Sequence, residues 1–383
     1  MRWEIPLFRI YWDEQEVAKI NAVVRRGMFW TAGPEVEEFE EGIAQYIGTK
    51  YAVVFSSGTS ALHAVLLACE VCKDDEVIVP SFTFVSTASA ALFVGARPVF
   101  AEIEERTYGL DPEDVERRIT PRTKAIIAVH YAGCPCSIVE LKEIAQKHDL
   151  ILIEDAAESF GAGIDGRKVG TFGDVAILSF CQNKVITTGE GGAVVTNSKE
   201  ICERLRLIRS HGRPETTNYF CSANHPDYVT LGYNFRMSSI TAALGIAQLE
   251  KVDQIIQMRR NNALYMNERL SHIDEIVTPQ VPSGFLHVYQ MYTIRLKESG
   301  LRDKLMQYLS EKGIMTKVYF SPIHLTQFYS RQFGYQEGEL PLTEKISSEV
   351  LTLPMYPTLA EEEMDYIVER VKEFFWRGKG DNE

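Results

Sequence analysis

Short apolar runs rich in β-branched residues alternate with amphipathic stretches through the first two-thirds of the chain. Residues 51–55, 77–79, 97–100, 125–129, 150–153, 175–179 and 193–196 have the length and composition of strands. Residues 61–72, 112–119, 139–148 and 199–209 read as helices between several of them. Another helix comes earlier. Pro34 and the acids after it open it, Val36, Phe39, Ile43 and Tyr46 fall on one face, and Gly48 ends it. Nearly continuous apolar strands separated by helices predict an α/β fold with a mostly parallel central sheet flanked by helices.

The pattern changes near Ser239. A long helical stretch passes through Leu244, Leu249, Val252 and Ile256 toward Leu270. Then residues 288–296 read as strand, 301–312 as helix and 315–320 as strand, with two more helices to follow. This predicts a smaller C-terminal α+β domain over residues 251–383, packed on a large domain of residues 1–250 that carries an N-terminal arm. A length of 383 residues exceeds what one core usually serves. The tail, residues 377–383, is expected to fray.

Bulk numbers narrow the partners. Hydrophobic residues make up 45% and charged residues 24%, which is ordinary for a soluble globular chain. A formal net charge of −13 argues against nucleic acid and anionic membrane as partners, while leaving room for a local basic pocket. No apolar run approaches the ~20 residues of a membrane helix. The first residues lack a signal peptide's apolar stretch, so a cytoplasmic location is expected. Seven cysteines, an odd number, do not suggest a secreted disulfide framework. Cys69 and Cys72 form a C-x-x-C inside an apolar helical run, and neither they nor Cys134 and Cys136 complete a zinc site. No metal is expected.

The chemistry centres on Lys184. It lies between an apolar strand and the glycine-rich turn Gly189-Glu-Gly-Gly192. Upstream, the strand 150–153 runs into Glu154, Asp155 and Glu158. A lysine and an acid brought together at strand ends suit an amine that forms a Schiff base and a carboxylate that keeps a pyridine nitrogen protonated, the pair that pyridoxal 5'-phosphate chemistry needs. An acid ending a strand buried on both faces needs a cationic partner, and a pyridinium would be one. Lys184 must lose its proton to attack an aldehyde, so its pKa must fall from a reference of ~10.4. Ser56-Ser-Gly-Thr-Ser60 joins a strand to a helix, where free N–H groups and the helix dipole favour phosphate. No Walker lysine follows it. Gly161-Ala-Gly-Ile-Asp-Gly166 matches G-x-G-x-x-G formally, but it lies away from its strand and no helix follows, so it reads as a turn. Phe82 and Phe84 follow a strand end, where an aromatic could lie flat on a cofactor ring.

Together these pieces resemble one family over nearly the whole chain: the sugar aminotransferases of the DegT/StrS type, pyridoxal-phosphate enzymes of fold type I. The matching stretches run in order. They are residues 30–40, 57–63, 80–84, 121–127, His130-Tyr-Ala-Gly133, Glu154-Asp-Ala-Ala157, 179–192, Gly232-Tyr-Asn-Phe-Arg-Met237 and Ser321-Pro-Ile-His324. The resemblance implies that Lys184 carries the Schiff base and shuttles the proton. It implies that Asp155 binds the pyridine nitrogen, that Phe84 stacks on the ring, and that Gly58, Thr59 and Ser179 hold the phosphate. Asn234 matches a residue that reaches the phosphate from the other subunit, which implies a homodimer with shared sites. Tyr319 and His324 fall where the family lines its sugar pocket. Glu158 stands where many members carry Gln or His against the cofactor's phenolic oxygen. An acid there requires a shared proton. The perosamine synthase-like branch also has an acid at this place and a similar lysine segment. The implied reaction moves an amino group, from L-glutamate, to a nucleotide-linked keto-sugar of the 4-keto-6-deoxyhexose kind. A keto-cyclitol transaminase, another pyridoxal-phosphate-dependent sugar-modifying enzyme and a non-catalytic binding or regulatory protein are the alternatives, and residues 215–227 are expected to help select the substrate.

Overall fold

The protein was analysed as a computed structural model that describes residues 3–214, 227–298 and 300–380. Nine strands fall in the first 200 residues: β1 (Tyr51–Phe55), β2 (Glu76–Pro80), β3 (Arg97–Ala101), β4 (Thr123–Val129), β5 (Ile151–Asp155), β6 (Gly163–Ile164), β7 (Arg167–Lys168), β8 (Val175–Ser179) and β9 (Gly192–Thr196). Seven of them form one sheet in the order β1-β9-β8-β5-β4-β2-β3. The pairs from β8 through β3 are parallel, and only β9 runs against its neighbours.

Alternation along these strands builds two apolar faces. Val53, Phe55, Val77, Val79, Ile127, Ile153 and Ile177 point into one core. It is shared with helices α3 (Gly58–Ala68), α4 (Ser86–Phe93) and α7 (Lys199–Arg209). Val54, Ala176, Leu178 and Val195 face the other side, against α2 (Pro34–Ile47) and α8 (Ser239–Glu250). Ile78, Ile126 and Leu152 continue that side under α5 (Pro112–Arg118) and α6 (Ile138–Lys147). Because the strands are parallel, the turns that leave them gather along one edge, and ligands of α/β sheets bind at such carboxyl ends.

A second core lies beyond α8. Strands β10 (Ile276–Val277), β12 (Tyr292–Leu296) and β13 (Val350–Leu353) form an antiparallel sheet. Helices α9 (Val252–Leu270), α10 (Leu301–Glu311) and α13 (Glu361–Gly380) cover it, and Ile5 from the N-terminal segment joins the same core. Strand β11 (Phe285–Leu286) pairs with β6, tying this part of the chain to the first. Strands β6 and β7 flank Asp165 (φ 49°) and Gly166 (φ 80°), a two-residue hairpin turn in place of a dinucleotide loop.

Several expectations need correcting. Helix α1 (Glu14–Arg26) was not expected, although Asp13 and Glu16 cap it reciprocally. Helix α4 was not expected either. The long helix breaks at Lys251, whose ψ of 13° separates α8 from α9. Residues 315–320 are not a strand, because Lys317 meets Thr352 in a single isolated bridge. Residues 288–291 are not a strand either. They dock on a loop, through Val288 N–H to Gly133 (3.0 Å) and Met291 N–H to Ala132 (3.2 Å). The end of the chain holds α11 (Gln327–Phe333), α12 (Pro341–Glu349), β13 and α13, so there are three helices and a strand where two helices were expected. Helix α13 runs through Gly380, past the start of the expected frayed tail, of which residues 381–383 lie outside the described residues. No helix among the described residues is long and apolar enough to cross a membrane. None of the described His, Cys, Asp and Glu residues cluster in a way that could hold a metal.

A buried ion pair anchors the strand that leads into the site. Glu40 on α2 accepts from the N–H of Val54 (2.9 Å) and from the guanidinium of Arg209, which also donates to the Val54 carbonyl (3.0 Å). Removing Glu40 takes a carboxylate partner from the buried guanidinium of Arg209. Glu40→Leu is therefore expected to lower stability by about 3–5 kcal/mol in urea denaturation, and adding Arg209→Met is expected to recover most of the loss.

Candidate active site at the carboxyl edge of the sheet

The carboxyl ends of β4, β5 and β8 open into a cavity of about 490 Å³. Residues that follow β1 and β2 complete one wall, and Phe8, Lys317, Tyr319 and Phe320 close the other.

The turn after β1 builds a cradle. Ser57 caps α3 by accepting from Ser60 N–H (3.1 Å), while the Ser60 hydroxyl accepts from Ser57 N–H (3.1 Å). The N–H groups of Gly58 and Thr59 belong to the helix's first turn, where no helical acceptor exists. Among the described residues neither has a hydrogen-bond partner. The Thr59 hydroxyl meets that of Ser86 at 2.8 Å. A Cβ on Gly58 would sit 3.1 Å from Cβ of Ser179. A Cβ on Gly192 would sit 2.5 Å from the Ser57 carbonyl oxygen and 2.6 Å from Gly58 N. Three segments thus converge with no space to spare, and they leave free donors at the positive end of a helix dipole. That donor set fits a phosphate.

Two buried acids face the same cavity. Asp155, the last residue of β5, accepts from the Thr87 hydroxyl (2.9 Å) and from Ala157 N–H (3.2 Å). Burial raises its pKa, and the Thr87 bond, the Ala157 bond and the charge of Lys184 oppose the rise only in part. Glu158 accepts from Ala132 N–H (2.9 Å) and lies 3.6 Å from Nζ of Lys184. Burial raises its pKa as well, against the pull of Lys184. Lys184 stands in the connection from β8 to β9, half-buried, with its N–H bonded to the Cys181 carbonyl (2.9 Å). A buried carboxyl that prefers its proton, or a cationic partner, suits a pyridinium nitrogen. An amine beside a second acid suits proton transfer.

Phe84 is 58% exposed and lines the cavity, whereas Phe82 is fully buried. The cavity thus brings together Lys184, Asp155, Glu158, Gly58, Thr59, Ser179, Phe84 and Tyr319. It does not include Asn234 or His324. Asn234 is exposed and pairs with Ser210 in an isolated bridge. His324 is fully buried, with Nδ1 2.7 Å from the Ser81 hydroxyl and Nε2 3.1 Å from Glu344. Both ring nitrogens are occupied by the chain itself, by Ser81 and Glu344. Residues 215–226 of the expected selectivity loop lie outside the described residues.

Sequence reasoning missed Thr87, Lys317 and Gln290. The Gln290 side chain donates to the carbonyl of Asn183, next to Lys184. Nothing in the sequence spacing marks these three, because they reach the site from α4, from the bridge beside β13 and from the segment before β12.

The profile described as the DegT/DnrJ/EryC1/StrS aminotransferase family matches residues 11–372. A GDP-perosamine synthase from Caulobacter vibrioides is 38% identical over 341 residues, spanning 88% of this chain and 89% of that protein. The crystal structure of the aminotransferase TlmJ from Streptoalloteichus hindustanus superposes with a TM-score of 0.91 at 28% identity, covering 98% of this chain and 100% of TlmJ. The sugar aminotransferase Spr1654 from Streptococcus pneumoniae, described as putative and solved in PMP and PLP forms, has a TM-score of 0.89 in the PLP form at 26% identity, covering 98% of each chain.

Two outcomes follow from the cradle and the acids. Gly192→Ala pushes a methyl into the Ser57–Gly58 backbone and is expected to cost about 1–3 kcal/mol of stability. Cofactor should be lost more readily on dialysis. A buried carboxyl with a raised pKa favours folding fully below its unfolded value, and that contribution fades as pH rises through the folded value. The cofactor-free wild type should therefore lose stability, relative to Asp155→Asn, as pH rises above the ordinary carboxylate range. Thermal melts of both proteins across that range check this.

Proposed function

The chain belongs to the DegT/DnrJ/EryC1/StrS aminotransferase family and is a pyridoxal-phosphate-dependent sugar aminotransferase, and on that premise we propose that it moves an amino group from L-glutamate to a nucleotide-linked 4-keto-6-deoxyhexose. The observation that carries the proposal is the meeting of Lys184, Asp155 and a free helix N-terminus around one cavity. The perosamine-type sugar is favoured by the curated synthase of that name at 38% identity and by the acid at position 158.

When bound, the cofactor supplies an aldehyde that takes up the amine and a ring that accepts electrons. The protein's part is positioning and proton transfer. The N–H groups of Gly58 and Thr59, with the Ser179 hydroxyl, would hold the phosphate. Asp155 would keep the ring nitrogen protonated, and the Thr87 hydroxyl fixes the carboxylate's direction. Phe84 would face the ring. Glu158 would share a proton with the phenolic oxygen, since two anions would repel each other there. Lys184 Nζ removes the proton from the substrate's Cα and returns it on the opposite course in the second half-reaction. Tyr319 lines the sugar's side of the cavity.

A homodimer is part of the proposal. Trp12, Met28, Trp30, Val85 and Phe93 are large apolar side chains between 43% and 61% exposed. In this reading the second subunit covers them and brings its own Asn234 to the phosphate.

Lys184→Ala is expected to slow conversion of a keto-sugar nucleotide by at least about 10²–10⁴-fold, the range for loss of a positioned proton-transfer group. Purified wild type should show a glutamate-dependent change in its visible absorbance, and Lys184→Ala should show none. Equal turnover by the two proteins would discard the proposal.

A further inference from the structure

Lys184 and Lys317 are the only cations among the described residues that line the cavity. They approach from opposite sides, Lys184 from the central sheet and Lys317 from the segment bridged to β13. Lys317 has a fixed root. Its N–H donates to the Thr352 carbonyl (3.1 Å), and its carbonyl accepts from Thr352 N–H (2.9 Å). Its head is free. Nζ sits 4.7 Å from the centroid of the Tyr319 ring, and no carboxylate pairs with it among the described residues. A charged tip on an anchored backbone, next to an aromatic that limits its sweep, is preorganised to meet an anion.

Charge balance in the cavity then assigns it a task. On the function proposed above, the site receives two substrates in turn, and both are anionic beyond the reacting carbon. The amino-acid donor carries carboxylates, and the nucleotide sugar carries a diphosphate. Glu190 lines the same cavity and repels both, while Asp155 and Glu158 are taken up by the cofactor. Lys184 is committed to the reacting carbon, and the N-terminus of α3 to the cofactor phosphate. Lys317 is the lining cation left over. We propose that Lys317 anchors the anionic group of the incoming substrate and so contributes to selecting it.

This inference rests on the proposed function, and the test separates the two. Steady-state kinetics of wild type, Lys317→Met and Lys317→Arg would be measured against L-glutamate and against keto-sugar nucleotides in separate arms. Calorimetry of the resting enzyme with GDP, UDP and dTDP gives a readout independent of turnover. Lys317→Met is expected to raise one KM about tenfold or more, as loss of a charge-assisted contact does, with kcat held within a few-fold. Lys317→Arg should restore most of the loss, and added salt should narrow the difference. A rise confined to the sugar arm, with weaker nucleoside diphosphate binding, makes the diphosphate the anchored group. A rise confined to the glutamate arm makes it the carboxylate. Unchanged KM values in both arms, with unchanged diphosphate binding, overturn the inference. If the wild type converts no keto-sugar nucleotide, the proposed function fails, and the role of Lys317 is then decided by the glutamate dependence of the visible absorbance change and by the calorimetry.

Discussion

Burying the charge of Asp155 at the carboxyl end of β5 is the constraint around which the site is organised. Its neighbour Glu154 shows what a satisfied acid looks like in the same strand. Glu154 points to the opposite face. It accepts from the N–H groups of Gly170 (2.8 Å), Phe172 (2.7 Å) and Gly173 (2.7 Å), and it lies 3.0 Å from His130 Nε2. Burial alone would raise its pKa, but His130 and these donors hold it below the ordinary value. Asp155 has one hydroxyl and one N–H, and its pKa is raised. Two consecutive buried acids are driven in opposite directions, Asp155 up by burial that its two donors do not offset, Glu154 down because His130 and its backbone donors outweigh the same burial. The one left short of donors faces the cavity, so its deficit is available to a cationic ligand.

The sheet makes that arrangement possible. Parallel strands send every connection out at one edge, and the side-chain alternation that packs two cores also fixes which residue at each strand end looks inward. Ser179 ends β8 against Gly58, and Gly192 opens β9 against Ser57. Antiparallel β9 is what brings the glycine-rich turn back to the cradle. The same crossing holds Lys184 in the connection between β8 and β9, close to the acids that follow β5.

How far the sequence discloses this depends on the range of the interaction. The strands of the central sheet were legible because burial on both faces leaves a continuous apolar run. Lys184, Asp155 and the turn at Gly58 were legible because strand ends next to glycine or acid are local patterns. The surroundings of His324 were not legible, because order along the chain says nothing about which side chains a residue meets once folded, and Ser81 and Glu344 occupy both of its ring nitrogens. Residues 288–291 read as strand for a similar reason. Their apolar and aromatic character is real, but it is spent on the loop that follows β4. Thr87, Lys317 and Gln290 carry no local mark, since each acts through a contact made across the fold.

That misread segment has a larger consequence for how the site is held. Backbone bonds from Val288 and Met291 fix the loop at Ala132 and Gly133, and the N–H of Ala132 is the donor that holds Glu158. The approach is close enough that a Cβ on Gly133, at φ 101°, would lie 2.8 Å from Gln290 N, so only glycine is accommodated. From the same four residues the Gln290 side chain reaches the carbonyl before Lys184. Arg259, buried on α9, donates in turn to the carbonyls of Tyr289 (3.2 Å), Gln290 (3.4 Å) and Met355 (3.2 Å). The amine and the acid that face each other across 3.6 Å are therefore both positioned by one short segment ahead of β12. Displacing that segment would move donor and acceptor together, which ties the geometry of proton transfer to the packing of the second core rather than to the central sheet alone.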